Sequence, residues 1–338
     1  PFTNYRLSPA ADPQGKPFRE PLHISDLVND IKRRFWDFPR RIGGSLYDHD
    51  RKTGSIRWLE SPQELIAWIA EKSGHPVSWT KMIEGAVNYE QIYAAVRANC
   101  IYYDLISGVP NWPKREDVYY THGQLPTPDP AARCFNEFCE FFHPSTDADR
   151  VLIRALVATP LYYKQKVDRP LWVIDSEHGQ SSGKTKLVEM IALLYGGDDP
   201  ECGEPLWMDG NQLNNDNNGD RILRRLLSRS GRKKRLVLVD NVEGYFKCQF
   251  LAQLVTQGSI SGLPPYGHGE ETRPNDLTYV ITANSATVNR DLANRSMFVY
   301  LVKPPPGVRN WERQVQEFIR AHRLQIIADI IGILERGA

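Results

Sequence analysis

Residues 171–187 read Leu-Trp-Val-Ile-Asp-Ser-Glu-His-Gly-Gln-Ser-Ser-Gly-Lys-Thr-Lys-Leu, and the fold turns on them. The apolar run 171–174 is short and unbroken, the pattern of a strand buried on both faces. A loop of small residues follows, then Gly183-Lys184-Thr185, then a helical pattern through Tyr195 that Gly196-Gly197 closes as a C-cap. Each part suits an anion. Small residues let backbone N–H groups curl around phosphate oxygens, and the helix N-terminus adds about half a positive charge. Lys184 suits β- and γ-phosphates, and the Thr185 hydroxyl suits Mg²⁺. This reading makes Gly179, Gln180, Ser181, Ser182, Gly183, Lys184, Thr185 and Lys186 contacts to ATP. The first glycine of the usual eight-residue pattern falls on His178, with Gly179 beside it.

Downstream the same rhythm continues. Residues 236–239, 279–282 and 297–302 are further buried-strand signals, and 250–255 reads as a short helix. Strands alternating with helices predict an α/β domain with a mostly parallel sheet. Asp240 ends the second strand, where an acid after a phosphate loop holds Mg²⁺ directly or through water. Glu243 is either a group that polarises the attacking water or a solvated loop residue. Asn284 ends the third strand and suits a hydrogen bond to the terminal phosphate or the attacking water, or a turn. Arg290 and Arg295 follow; an arginine here either reaches a neighbouring subunit's γ-phosphate or forms a surface salt bridge, and Arg295 is preferred. Residues 311–334 carry the apolar stripe of an amphipathic helix.

Upstream, residues 1–20 read as an extended polar arm. Within 21–132, residues 24–36 and 89–101 have helical spacing. Residues 45–47 and 55–59 flank a polar turn and predict a β-hairpin. Ser61-Pro62-Gln63-Glu64 opens a helix with an N-cap, a proline and an acidic first turn. This makes a smaller α+β or mainly helical N-terminal domain. His23, Asp48, His49 and Asp50 read as belonging to a solvated turn rather than a metal site. Residues 106–131 are loop-like and proline-rich, so the boundary is expected at 132/133. Helices at 135–142 and 147–158 then lead into an ATPase domain over 133–310, closed by a helical segment over 311–338.

Composition narrows the partners. At 338 residues the chain exceeds what a single core commonly holds. A net charge of +1 excludes nucleic-acid binding through overall charge, so such a contact needs a local basic surface. Five scattered cysteines lack a pairing framework and suit a reducing cytoplasm. Cys134 and Cys139 read as buried thiols, with a loosely spaced zinc pair as the alternative. No apolar run reaches the ~18 residues that span a membrane, and the polar start has no signal-peptide pattern. The local basic run is 221–235, with eight basic residues and no acid. It reads either as phosphate contacts, Arg232, Lys233 and Lys234 among them, or as a solvated helix and loop, or as contacts to the next subunit. Residues 258–275, with Tyr266, His268 and Arg273, form a Gly- and Pro-rich stretch.

Gly-Lys-Thr at 183–185, Val-Leu-Val-Asp-Asn-Val at 237–242, Thr-Ala-Asn at 282–284 and Asp-Leu-Ala-Asn-Arg at 291–295 resemble, in that order, the ATPase core of AAA+ P-loop proteins. They are nearest to the superfamily III-like helicases and primase-helicases of phages and mobile elements. Segments 142–160 and 323–334 resemble that group too, so the resemblance covers about 135–338. It implies an AAA+ P-loop NTPase core with a parallel sheet, ATP and Mg²⁺ as cofactors, and a homo-oligomeric ring, commonly hexameric. It implies DNA, single-stranded or forked, as the track. In that scheme Lys184 serves the phosphates, Thr185 and Asp240 hold Mg²⁺, and Glu243 replaces the acid usually found where Asn241 stands. Asn284 is the sensor and Arg295 acts in trans. Related motors carry a DNA-gripping hairpin between the acidic and sensor strands, which makes His268 and Arg273 nucleic-acid contacts; a plain surface loop fits that stretch equally. The expected function is an ATP-dependent oligomeric motor on DNA, a replication helicase or helicase-loader. A nucleotide-gated oligomeric switch that binds ATP without translocating is the competing reading. A small-molecule kinase accounts for the phosphate loop but not for residues 282–295.

Overall fold

A computed structural model describes residues 2–11, 14–163, 169–176, 182–199, 201–213, 219–265, 269–304 and 310–337. His178, Gly179, Gln180, Ser181, Tyr266 and His268 lie outside the described residues. The chain divides into two compact units, Pro1–Tyr103 and Asp104–Ala338.

In the first unit, β1 (Phe2–Thr3), β2 (Tyr5–Ala11) and β3 (Pro17–Pro21) precede helix α1 (Ile24–Arg34). Strands β4 (Arg40–Ile42), β5 (Ser45–Asp50) and β6 (Ser55–Leu59) lead to α2 (Pro62–Ser73). Then follow β7 (Val77–Ser78), α3 (Tyr89–Asn99) and β8 (Ile101–Tyr103). The expected hairpin is β5–β6, antiparallel, and it lies in a four-stranded sheet of order β6-β5-β4-β8. Helix α2 starts on the expected cap: Ser61 accepts from the Glu64 backbone while the Glu64 carboxylate accepts from the Ser61 N–H. Two expectations fail here. Residues 2–11 and 14–20 are not a free arm: Phe2 is fully buried in the unit's core, β1 pairs with β7, and β2 pairs with β3. Asp48 and His49 are not a solvated turn, because β5 runs through them between two strands. Both are buried, and Asp48 accepts from Trp68 Nε1 at 2.9 Å and pairs with Lys72 at 3.0 Å.

In the second unit, β9 (Leu105–Ser107) and β10 (Val118–Tyr120) pair in parallel. The proline-bearing segment after Tyr103 is therefore part of this unit, and the division falls ahead of the expected 132/133. Helices α4 (Arg133–Glu140) and α5 (Asp147–Ala158) follow. Next come β11 (Leu171–Asp175), α6 (Lys184–Gly196), β12 (Leu206–Asp209), α7 (Gly210–Leu213) and α8 (Gly219–Leu227). Strand β13 (Leu236–Phe246) leads through α9 (Gln249–Thr256) and the hairpin β14 (Ser259–Gly262) and β15 (Glu271–Pro274) to β16 (Thr278–Val288). The short helix α10 (Arg290–Ala293), β17 (Ser296–Tyr300) and the long α11 (Trp311–Gly337) complete the unit.

Strands β12-β13-β16-β11-β17 form, in that order, a five-stranded parallel sheet among the described residues. Successive side chains of a strand face opposite sides, and the core splits accordingly. Trp172, Ile174, Leu238 and Val280 pack on one face with α4, α5, α6 and α11. Leu171, Val173, Val237, Val239, Tyr279 and Ile281 pack on the other with α8 and α9. Helix α6 is apolar nearly all round, so it is enclosed by its neighbours; each fully buried Leu or Ile contributes roughly 1.5–3 kcal/mol. The edge strand β12 escaped the sequence reading because only Leu206 and Met208 of its four residues are buried. Among the described residues no helix is long and apolar enough to cross a membrane.

Candidate nucleotide site

The topology makes a crevice. Helix α6 leaves β11 toward one face, while α10, after the neighbouring β16, packs Leu292 on the other. Ligands of open α/β sheets bind outside the carboxyl ends of strands at such a point. Gly183 stands at φ +82°, a left-handed conformation in which an L side chain is strained, and it launches α6. The N-terminus of α6 thereby opens beside the end of β11, with Lys184 and Thr185 in its first turn.

Three elements meet there. Thr185 Oγ1 donates to Asp240 Oδ1 at 2.9 Å, joining the start of α6 to the end of the buried part of β13. The Thr282 hydroxyl of β16 donates to the same carboxylate oxygen. Lys184 is buried; burial lowers its pKa from the usual value, and the carboxylates of Asp175 and Asp240 oppose that shift. Asp175, which the sequence reading passed over, ends β11 and accepts from the Ser176 N–H at 2.7 Å and the Ser285 N–H at 3.2 Å. Its signal was its place, the last residue of a buried strand that enters a phosphate loop.

The donor set fits a nucleotide and Mg²⁺. The Thr185 hydroxyl and the Asp240 carboxylate are oxygen donors of the kind that hold Mg²⁺, and they stand 2.9 Å apart. Ser176 and Ser182, on either side of residues 177–181, each bury a hydroxyl with no hydrogen-bond partner among the described residues. Buried hydroxyls left unpaired are costly unless a ligand completes them.

Asn241 follows Asp240 at φ +59°, and the ladder between β13 and β16 is irregular between Val239 and Val242. Asn284 Nδ2 donates to Asn241 Oδ1 at 2.8 Å, and the exposed Glu243 is the register partner of Asn284. Lys186 is held by Glu189 and by Glu312 of α11, at 2.7 and 2.9 Å, so its ammonium is engaged in ion pairs beside the site. Arg295 is exposed and pairs with Asp291 at 3.2 Å. Its carbonyl accepts from the Leu171 N–H, at the edge of the sheet opposite to Lys184 and Asp240.

Four of the five residues expected to meet nucleic acid are enclosed; the fifth, His268, lies outside the described residues. Arg232, Lys233, Lys234 and Arg273 are all buried. Arg273 donates to the carbonyls of Leu226 and Gly231 and pairs with Asp276. Arg232 pairs with Glu271 at 2.9 Å, and Lys233 pairs with Glu201. The physical reason is position: this half of the basic run enters β13 at the amino end of a buried sheet. Long cationic side chains there satisfy carbonyls, as Arg235 does for Pro160 and Val109. The other half is exposed: α8 buries Ile222 and Leu226 and turns Arg221, Arg224 and Arg225 outward.

A solved structure is similar to this architecture in fold. No protein-family model matches the chain, and no curated protein matches it in sequence. The apo structure of the NrS-1 C-terminal region is similar at a TM-score of 0.51 and 11% identity, covering 86% of this chain and 65% of that one. Its A form aligns at 0.49 and 12%, covering 85% and 64%. A JCV helicase aligns at 0.34 and 14%, covering 60% and 53%, which is too distant to define a shared fold. The chain thus spans less than two thirds of the length of these proteins. The class defined is a mixed α/β fold on a five-stranded parallel sheet, and the particular likeness is to the fold of the NrS-1 C-terminal region.

Proposed function

We propose that this chain is an ATP-dependent oligomeric motor acting on DNA, a replication helicase or helicase-loader of the AAA+ type. The observation that carries the reading is the Thr185–Asp240 hydrogen bond at the N-terminus of α6, beside the buried Lys184. Helix-terminal N–H groups and Lys184 hold the phosphates. Thr185 and Asp240 would hold Mg²⁺, which when bound offsets phosphate charge. Glu243 takes a proton from the attacking water, and Asn284 exchanges its bond to Asn241 for one to the terminal phosphate. Arg295 serves the site of a neighbouring subunit. The exposed Arg221, Arg224 and Arg225 of α8 replace the buried residues as phosphate contacts to DNA. The hairpin β14–β15 supports the reading, since it stands between the acidic and sensor strands.

A second reading, a nucleotide-gated switch that does not translocate, is favoured by the burial of Arg232, Lys233, Lys234 and Arg273. Steady-state ATPase with and without single-stranded DNA separates the two. A motor is stimulated by DNA, and the stimulation falls as salt rises; a switch turns over slowly whether or not DNA is present. Lys184→Ala abolishes turnover in either case, and an unchanged rate removes the site assignment.

A further inference from the structure

The first unit carries a surface that the nucleotide site does not use. Residues 32–41 read Lys-Arg-Arg-Phe-Trp-Asp-Phe-Pro-Arg-Arg, with five basic residues, one acid and three aromatics. They run from the last turn of α1 into β4, and with the end of α3 and the start of β8 they enclose an open pocket of about 420 Å³. Trp36 lines this pocket and is fully exposed, at 102%. Ile101, also lining it, is 62% exposed. Lys32 lies over the Phe38 ring at 5.4 Å. Across the β4–β8 ladder, Arg41 lies over the Tyr102 ring at 5.1 Å, so cations and aromatic faces continue beyond the rim.

The charge is one-sided. No acidic residue lines the pocket. Asp37, the acid of the run, is turned to Arg40 and Arg51 at 3.5 and 3.0 Å. Arg34 pairs with Asp30, but among the described residues Lys32 and Arg33 have no carboxylate partner. Basic residues in the last turn of a helix also complement its dipole. That accounts for their sign, but not for an indole left wholly in water beside them.

We propose that this pocket binds single-stranded nucleic acid, with a base stacked on Trp36 and the backbone held by Lys32 and Arg33. Stacking on an aromatic face next to cations is how strands are held without sequence preference. The volume is in the range of small-ligand sites and admits one base. A paired base has its faces covered by its neighbours in the duplex, so the pocket selects the single strand. The site works without nucleotide and does not rest on the ATPase reading.

The test is fluorescence anisotropy of labelled oligo-dT and oligo-U on the whole 338-residue chain, nucleotide-free, over a salt series. Trp36→Ala weakens binding on the order of tenfold or more, and Trp36→Phe restores most of it. Replacing both Lys32 and Arg33 by Ala lowers the salt slope by roughly 1.4, at about 0.7 per phosphate contact. A duplex of equal length is indifferent to Trp36→Ala. The substitutions leave the melting temperature unchanged, because these side chains are exposed. Binding of either oligomer in this manner supports the proposal, and their ratio assigns DNA or RNA. The proposal is overturned by Trp36→Ala binding as tightly as the parent, by an equal loss on duplex, by a Trp36-dependent change of oligomeric state instead, or by Trp36-dependent displacement of the strand by an acidic peptide. Trp36-dependent binding by a parent chain that shows no ATPase leaves this proposal standing while the motor reading fails.

Discussion

At position 241 the backbone itself explains the residue. A φ of +59° is tolerated by Asn and disfavoured for Glu, and the Asn241 amide is bonded to Asn284. A Glu placed directly after Asp240 would sit on a strained backbone. The proposed base is therefore displaced along the irregular strand to Glu243, across from Asn284. Glu243→Gln is expected to lower turnover by about 10²-fold or more, the usual range for a positioned base. Nucleotide affinity stays within about twofold of the parent, since Lys184, Thr185 and Asp240 remain. Equal loss of affinity and turnover would instead make Glu243 a structural residue. None of this was legible from residue types: Asn241 read as a missing acid, and only its φ and its bond give the substitution a cause.

Helix ends show the same contrast between local and distant causes. The cap of α2 was readable because all its parts, Ser61, Pro62 and Glu64, are adjacent in the chain. Helix α4 has no such cap: Ala132 precedes it at φ 54° with no side-chain bond. The missing acceptor is Asp329 of α11, fully buried, whose Oδ2 accepts from the Phe135 N–H at 2.9 Å, while Gln325 holds its Oδ1 at 2.9 Å. Asp329→Ala is expected to destabilise the chain by roughly 1–2 kcal/mol, read as a lower urea midpoint at unchanged slope. A loss under 0.5 kcal/mol would mean that another group takes over the cap, a threshold set by the smallest usual cap effect of about 0.5 kcal/mol.

For the whole molecule, the sheet separates the proposed nucleotide site from the arginine proposed to act in trans. Thr185 and Asp240 meet at the carboxyl end of the strands, whereas Arg295 lies at the amino end, next to Leu171. An arginine so placed does not reach its own site, so its proposed role needs a neighbouring subunit. Arg295→Ala and Lys184→Ala are each expected to be inactive alone. Mixed, they regain a measurable part of the parent ATPase, because some interfaces pair an intact phosphate site with an intact arginine. No recovery on mixing would remove the trans role. The amino end is also where the buried cations gather: burial pushes the pKa of Asp276 up, but the Arg273 and Arg115 guanidiniums override it and hold the carboxyl below its usual range.

Legible in the sequence were the parallel α/β core and the order strand, loop, Gly183-Lys184-Thr185, helix, then Asp240. These signals are local: runs of buried apolar residues, glycines and caps within a few positions of one another. Tertiary structure alone decided that Phe2 is core and that Asp48 and His49 are buried in a strand. It also decided that Asp329 caps α4 and that half of the basic run is enclosed while α8 exposes Arg221, Arg224 and Arg225. Charge and residue type carry no record of which neighbours will cover a side chain. A guanidinium that satisfies carbonyls at a sheet edge and one that waits for phosphate are the same letter until the chain has folded.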